Sequence, residues 1–149
     1  MSATPEALSV RTRKHVYVVG VIALLWNAIG AFDYLMTQTR NASYMSAFTP
    51  EQLEYFYNFP APMVAAWAIA VWGGVAGAVL LLMRRKQAVQ VFLVSLAGML
   101  MTTVYSYLLS NGMELFGTPG THAFNALIFA VSVGLFVYSI RLKEQGVLR

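Results

Sequence analysis

Four apolar runs dominate the chain, over residues 16–36, 63–83, 88–109 and 124–140, and the second holds no charged residue. Each is about 17–22 residues long, the length at which an α-helix rising about 1.5 Å per residue crosses roughly 30 Å of hydrocarbon. The ten-residue alternation of a membrane β-barrel is absent, so the runs are expected to be helices. The pattern predicts an all-α fold, a transmembrane four-helix bundle filling residues 1–149 as one membrane domain.

The polar stretches between the runs set the topology. Arg11, Arg13 and Lys14 precede the first run, Arg84, Arg85 and Lys86 separate the second from the third, and Arg141, Lys143 and Arg149 follow the fourth; only Arg40 falls at the other end. By the positive-inside rule both termini are expected in the cytoplasm, an N-in/C-in arrangement. A cleaved leader is the rival account of the first run. It is disfavoured because the run is long and no small-x-small cleavage site follows. The turn at 84–87 is so short that the second and third helices are expected as antiparallel neighbours. In the first outer loop Thr49, Pro50, Glu51 and Gln52 spell a capping box with Pro at the first helical position. A short helix over 50–58 is predicted to lie along the membrane surface, as a belt anchor or as a lid over an outward pocket. The tail beyond Ile140 is expected to fray.

Composition supports the membrane assignment and removes other classes. Of 149 residues 58% are hydrophobic and 11% charged, and the mean hydropathy is +0.62. Soluble domains carry about 25% charged residues. Zero cysteines exclude disulfide scaffolds, thiol catalysis and Cys-ligated metal or iron–sulfur sites. The net charge of +4 follows from the topology. No nucleic-acid partner is expected, since no aromatic residues interleave with the basic clusters. Those clusters are expected to rest on anionic lipid headgroups of the bilayer.

Polar and small residues inside the runs mark the candidate sites. Asn27, Gly30 and Tyr34 share a face of the first helix, with Trp26 and Asp33 on the adjoining strip. Asp33 is the only acidic residue within a run; it is expected toward the outer end, bonded to neighbouring polar groups or serving as a proton or cation site. Ala66, Ala70, Gly73, Gly74, Gly77 and Ala78 form a small-residue ladder where a second helix backbone can approach closely, within the bundle or from a second copy. Asp33, Tyr34, Thr102, Tyr105, Ser106, His122 and Asn125 are all expected in the outer half, and suggest a polar cavity opening outward. With Trp26 and Asn27 they make up the candidate binding residues. No catalytic residues, metal site or cofactor is expected. His15 and His122 are predicted at opposite ends of the bundle, and no acidic or cysteine cluster accompanies either. No nucleophile has an evident base and orienting partner, so the chain is read as not an enzyme.

The segment Trp26-Asn27-Ala28-Ile29-Gly30-Ala31-Phe32-Asp33-Tyr34, followed by Thr49-Pro50-Glu51-Gln52 and Pro60, resembles a family of small four-span bacterial inner-membrane proteins over nearly the whole chain. The W-N-x-x-G-x-x-D-Y pattern is the most specific part. The resemblance implies a bacterial cell inner membrane, and functional interest in Trp26, Asn27, Asp33 and Tyr34. Some members carry a sugar-transporter label, yet half-size sugar carriers have three helices and a Pro-Gln motif, and this chain has neither. Two functions remain open. One is small-solute binding or transport through the outward cavity by a homodimer, since one small bundle is thin for alternating access. The other is a non-catalytic accessory or structural subunit of a larger membrane complex.

Overall fold

The computed structural model describes residues 5–149. It is all-α, and no strand occurs among the described residues. The helices are α1 (Pro5–Gln38), α2 (Ala42–Met45), α3 (Pro50–Tyr57), α4 (Ala61–Leu82), α5 (Gln87–Val104), α6 (Gly112–Phe116) and α7 (Pro119–Glu144), with α5 continued by a π-helical turn, Tyr105–Leu109. Among the described residues four helical stretches are long and apolar enough to cross a membrane: Ser9–Gln38, Ala61–Leu82, Gln87–Leu109 and Pro119–Glu144. They fold as an up-down-up-down set, so the start of α1 and the C-terminal tail lie at the end that carries the 84–87 turn, here the basic end. The loops with α2, α3 and α6 lie at the opposite, aromatic end.

Local chemistry sets the element boundaries. Thr49 Oγ1 accepts from Gln52 N and Gln52 Oε1 accepts from Thr49 N, which completes the predicted capping box of α3. The fourth membrane helix starts at Pro119 rather than at Phe124. Thr118 caps it by accepting from Thr121 N at 3.2 Å, and Pro119 occupies the first helical position. That Thr-Pro start repeats the one at α3. Arg84, at φ 55°, takes the left-handed conformation that lets α4 turn back into α5 within a few residues.

The expected fraying of the tail is not what the structure contains. Gly146, at φ 70°, reverses the chain after α7. Arg149 N then donates to Arg84 O at 2.8 Å, and Lys86 N donates to Arg149 O at 3.1 Å. Leu148 is left only 4% exposed. A short apolar tail beside a turn with unsatisfied backbone groups gains both burial and hydrogen bonds by docking.

The ladder on α4 makes this helix the centre of the bundle, with α1 on one side and α5 on the other. A Cβ placed at Gly98 of α5 would meet the Ala66 carbonyl oxygen at 2.6 Å and Ala70 N at 3.1 Å. One at Gly73 would meet Ser95 Cβ at 3.0 Å, and one at Gly77 the Phe92 ring at 2.6 Å. Ser95 Oγ donates to Ala70 O across the same seam at 2.5 Å. On the other side, Gly74 leaves room for Asn27 of α1. Ala66 and Ala78 are buried. All six small residues are therefore used inside the chain. Packing at such distances excludes any larger side chain, and in lipid it supplies much of the association energy between helices.

The aliphatic core occupies the basic half. Val16, Ala23, Ala78, Leu81, Ala88, Phe92, Leu135, Leu142 and Leu148 form one buried cluster drawn from all four long helices and the tail. There His15 of α1 meets Tyr138 of α7, with Nδ1 2.8 Å from the tyrosine hydroxyl. Rings fill the aromatic half instead.

Candidate functional site

Helix α3 lies over the aromatic end, where two hydrogen-bonded groups hold it. Tyr55 OH donates to Ser106 Oγ at 3.2 Å and lies 3.0 Å from Ser110 Oγ. Gln52 Nε2 donates to Leu115 O at 3.1 Å. The π-helical turn provides the first anchor. Directly before it, Thr102 and Thr103 both turn their hydroxyls onto the Met99 carbonyl, at 2.9 and 2.8 Å. Such back-bonding competes with the regular helical ladder. The following turn is wider, and its side chains fan out. Tyr105 packs edge-on against Phe59 at 5.2 Å, Ser106 meets Tyr55, and Tyr107 turns to His122 and Asn125 of α7.

Beneath α3 lies a cavity of about 160 Å³, lined by Tyr55, Phe56, Phe59, Trp67, Thr102 and Ser106. Its four rings form a closed circuit. Centroids are 6.0 Å apart for Tyr55–Phe56, 6.4 Å for Phe56–Trp67, 6.3 Å for Phe59–Trp67 and 5.7 Å for Tyr55–Phe59. These spacings fall in the attractive range for aromatic pairs. Phe116 closes the circuit from α6, 5.2 Å from Phe56, and Tyr34 backs Trp67 edge-on at 5.1 Å. Every lining residue is neutral, and two of the six contribute aliphatic hydroxyls.

The nine binding residues nominated by the sequence do not converge on this cavity. Thr102 and Ser106 line it, and Tyr34 and Tyr105 buttress its rings from behind. Asp33 lies apart, where its Oδ1 accepts from Tyr44 OH at 2.5 Å. That hydrogen bond, then burial and the Asp33 charge, pushes the Tyr44 phenol up to about 12. Asn41 accepts from Tyr44 N at 3.0 Å and so fixes the turn that presents the tyrosine. His122 and Asn125 belong to a second polar group. Asn125 Nδ2 donates to Tyr107 OH at 3.0 Å, and that hydroxyl lies 2.9 Å from His122 Nδ1. Trp26 packs against Phe124 at 6.3 Å. Asn27 Nδ2 donates to Ala23 O of its own helix at 2.8 Å, and its other amide atom rests on Gly74.

Sequence reasoning did not place Phe59, Tyr44 or Tyr107 in any site, and left the helix that carries Tyr55 and Phe56 as either a belt anchor or a lid over an outward pocket. The density of rings between Tyr44 and Trp67 is a signal that could have found all of them but Tyr107, because it exceeds what one anchored helix needs. Among the described residues no three His, Cys, Asp or Glu side chains gather as a metal site.

Four apolar spans with a polar loop cap define a multi-pass α-helical membrane protein. No protein-family model, curated protein or solved structure matches the chain.

Proposed function

We propose that the chain is a small-molecule-binding protein of a bacterial inner membrane, with both termini cytoplasmic and the ring-lined cavity under α3 as its ligand site. One observation carries this reading: a half-open cavity of about 160 Å³ lined by four aromatic and two hydroxyl-bearing residues, beneath a capped helix latched at two points. Pockets of this kind, apolar with a few placed polar groups, are the usual form of ligand sites. The orientation follows from nine of the ten basic residues gathering at one end. In it α3 lies on the outer membrane surface as a lid. The bacterial assignment draws on the resemblance of the Trp26–Tyr34 segment and the Thr49 capping box to the small four-span family.

Binding fits the interior better than transport does. A path needs polar groups continuing toward the basic end. Ser95 is bonded to Ala70 O, Ser132 to Ile128 O and Ser139 to Phe136 O, all backbone carbonyls. A sugar fits poorly too, since a monosaccharide presents several hydroxyls and the cavity offers two aliphatic partners. The site is read as non-catalytic because its lining holds no His, Asp, Glu, Lys or Cys, and its one phenol, Tyr55, is bonded to Ser106 and Ser110.

A second reading, an accessory subunit or a homodimer, draws on α7. Gly134 has open space beside it, and Ala126, Ala130 and Gly134 are exposed at four-residue spacing. That face is open to another helix backbone.

The binding reading is tested by native mass spectrometry of protein purified from native membranes. The expected result is a retained small molecule, lost in a folded Trp67→Ala variant. A folded wild-type protein that retains none, and takes up none from a small-molecule library, overturns it.

A further inference from the structure

We propose that the cavity beneath α3 takes a neutral one-ring phenol; this deepens the binding function above and rests on it. Size comes first. An apolar cavity of about 150 Å³ accepts benzene, whereas drug-sized ligands need about 300–1,000 Å³. At about 160 Å³, and open on one side, this cavity has room for a single ring with a small substituent.

Charge comes next. The lining holds no carboxylate, guanidinium or ammonium. An ion entering it would lose hydration without gaining a counter-charge. Aromatic rings also attract quaternary ammonium groups, which makes such a cation the chief rival. Asp33 lies apart and is already engaged by Tyr44, and Glu51, Glu54 and Glu114 are exposed.

The hydroxyls narrow the class further. Thr102 Oγ1 spends its proton on Met99 O, so it offers lone pairs to a guest. Ser106 Oγ accepts from Tyr55 OH, so its own proton is available to a guest oxygen. One acceptor and one donor sit on the same wall, four residues apart along the helix. A phenolic hydroxyl both donates and accepts, and its ring meets the aromatic circuit through faces and edges. The interplanar angles of that circuit run from 26° for Phe56–Trp67 to 79° for Phe59–Trp67.

The test is titration calorimetry of the full chain in lipid nanodiscs, with empty nanodiscs subtracted. The probes are phenol, toluene, tetramethylammonium and glucose. Phenol is expected to bind saturably and more tightly than toluene. Ser106→Ala, which also removes the Tyr55 latch, is expected to weaken phenol about three- to tenfold more than it weakens toluene, the worth of one neutral hydrogen bond. Thr102→Val, which keeps the Tyr55–Ser106 latch, is expected to weaken phenol to a similar extent, with thermal melting confirming the fold. Toluene equal to phenol, or tighter binding of tetramethylammonium or glucose, overturns the phenol class while leaving a binding site. Variants that melt normally and bind phenol as the parent does also overturn it. If none of the four probes binds the folded protein, the phenol class falls, and the native mass spectrometry above decides the binding function separately.

Discussion

The two halves of the bundle are built on different rules. In the basic half, mainly aliphatic side chains from four helices and the tail close, together with the Phe92 ring, into one cluster around Leu81 and Val16, both fully buried. Among the described residues no aliphatic cluster of that kind forms in the aromatic half. Phe48, Tyr55, Phe56, Phe59, Trp67 and Phe116 pair ring against ring and remain partly exposed. Branched aliphatic chains fill space without gaps. Large flat rings held by helices of different direction leave space between them. The difference teaches where stability and binding reside: the basic half holds the helices together, and the aromatic half holds a cavity under a latched lid.

Substitutions should separate the two halves by size of effect. The largest loss is expected at the α4–α5 seam. Gly98→Val puts a branched side chain against the Ala66 carbonyl, which a single Cβ would already meet at 2.6 Å. A destabilisation of about 3 kcal/mol or more is expected, the upper range for overpacking, measured as loss of helical signal in a detergent–denaturant titration. Leu148→Ala should follow, at about 2–3 kcal/mol for a buried leucine. It should also raise hydrogen exchange at Lys86 N, which the docked tail protects. If Leu148→Ala proves neutral, the tail adds nothing to the basic half.

Changes in the aromatic half should cost less and act locally. Tyr55→Phe removes the hydroxyl that latches α3 to Ser106. About 1 kcal/mol is expected, read as faster hydrogen exchange confined to α3. Global melting that falls as far as in the glycine variant would dissolve the distinction between the halves. The smallest effect concerns Asp33. Tyr44 is a phenol whose folded-state pKa is raised from 10.0 to about 12. Its contribution is therefore fully present below pH 10 and disappears as pH rises toward 12. In Asp33→Asn the accepting charge is gone, and the Tyr44 titration followed by ultraviolet absorbance should move back toward 10. An unchanged titration would show that Asp33 does not hold Tyr44.

The legibility of the fold differs between the halves in the same way. The four spans, the short turn at Arg84 and the capping box at Thr49 are written in length, charge and local spacing, which are properties of contiguous residues. The ladder was equally plain, although only the structure shows α1 and α5 filling it. The early start of α7 was legible in Thr118 and Pro119, but the apolar run hid it. An outward cavity with Thr102 and Ser106 was expected from the sequence, but the docked tail and the aromatic lining of the cavity were not legible, because each depends on side chains brought together from distant segments. Asp33, Asn27 and His122 drew attention as polar residues in an apolar chain. Each proved to be bonded to a neighbour, Tyr44, Ala23 and Tyr107 in turn. The rings that build the cavity look in sequence like interfacial anchors, since pattern alone does not distinguish a ring facing lipid from one facing another ring.

The most direct test of the account is where a small aromatic guest settles. Solution NMR of the labelled protein in nanodiscs, with phenol added, reads intermolecular Overhauser effects between the guest and individual side chains. The account expects contacts to Trp67, Phe59 and the Thr102 methyl group, and none to Val16 or Leu81. Contacts spread evenly over the lipid-facing side chains of α1 and α7, or found in the basic half, would contradict it.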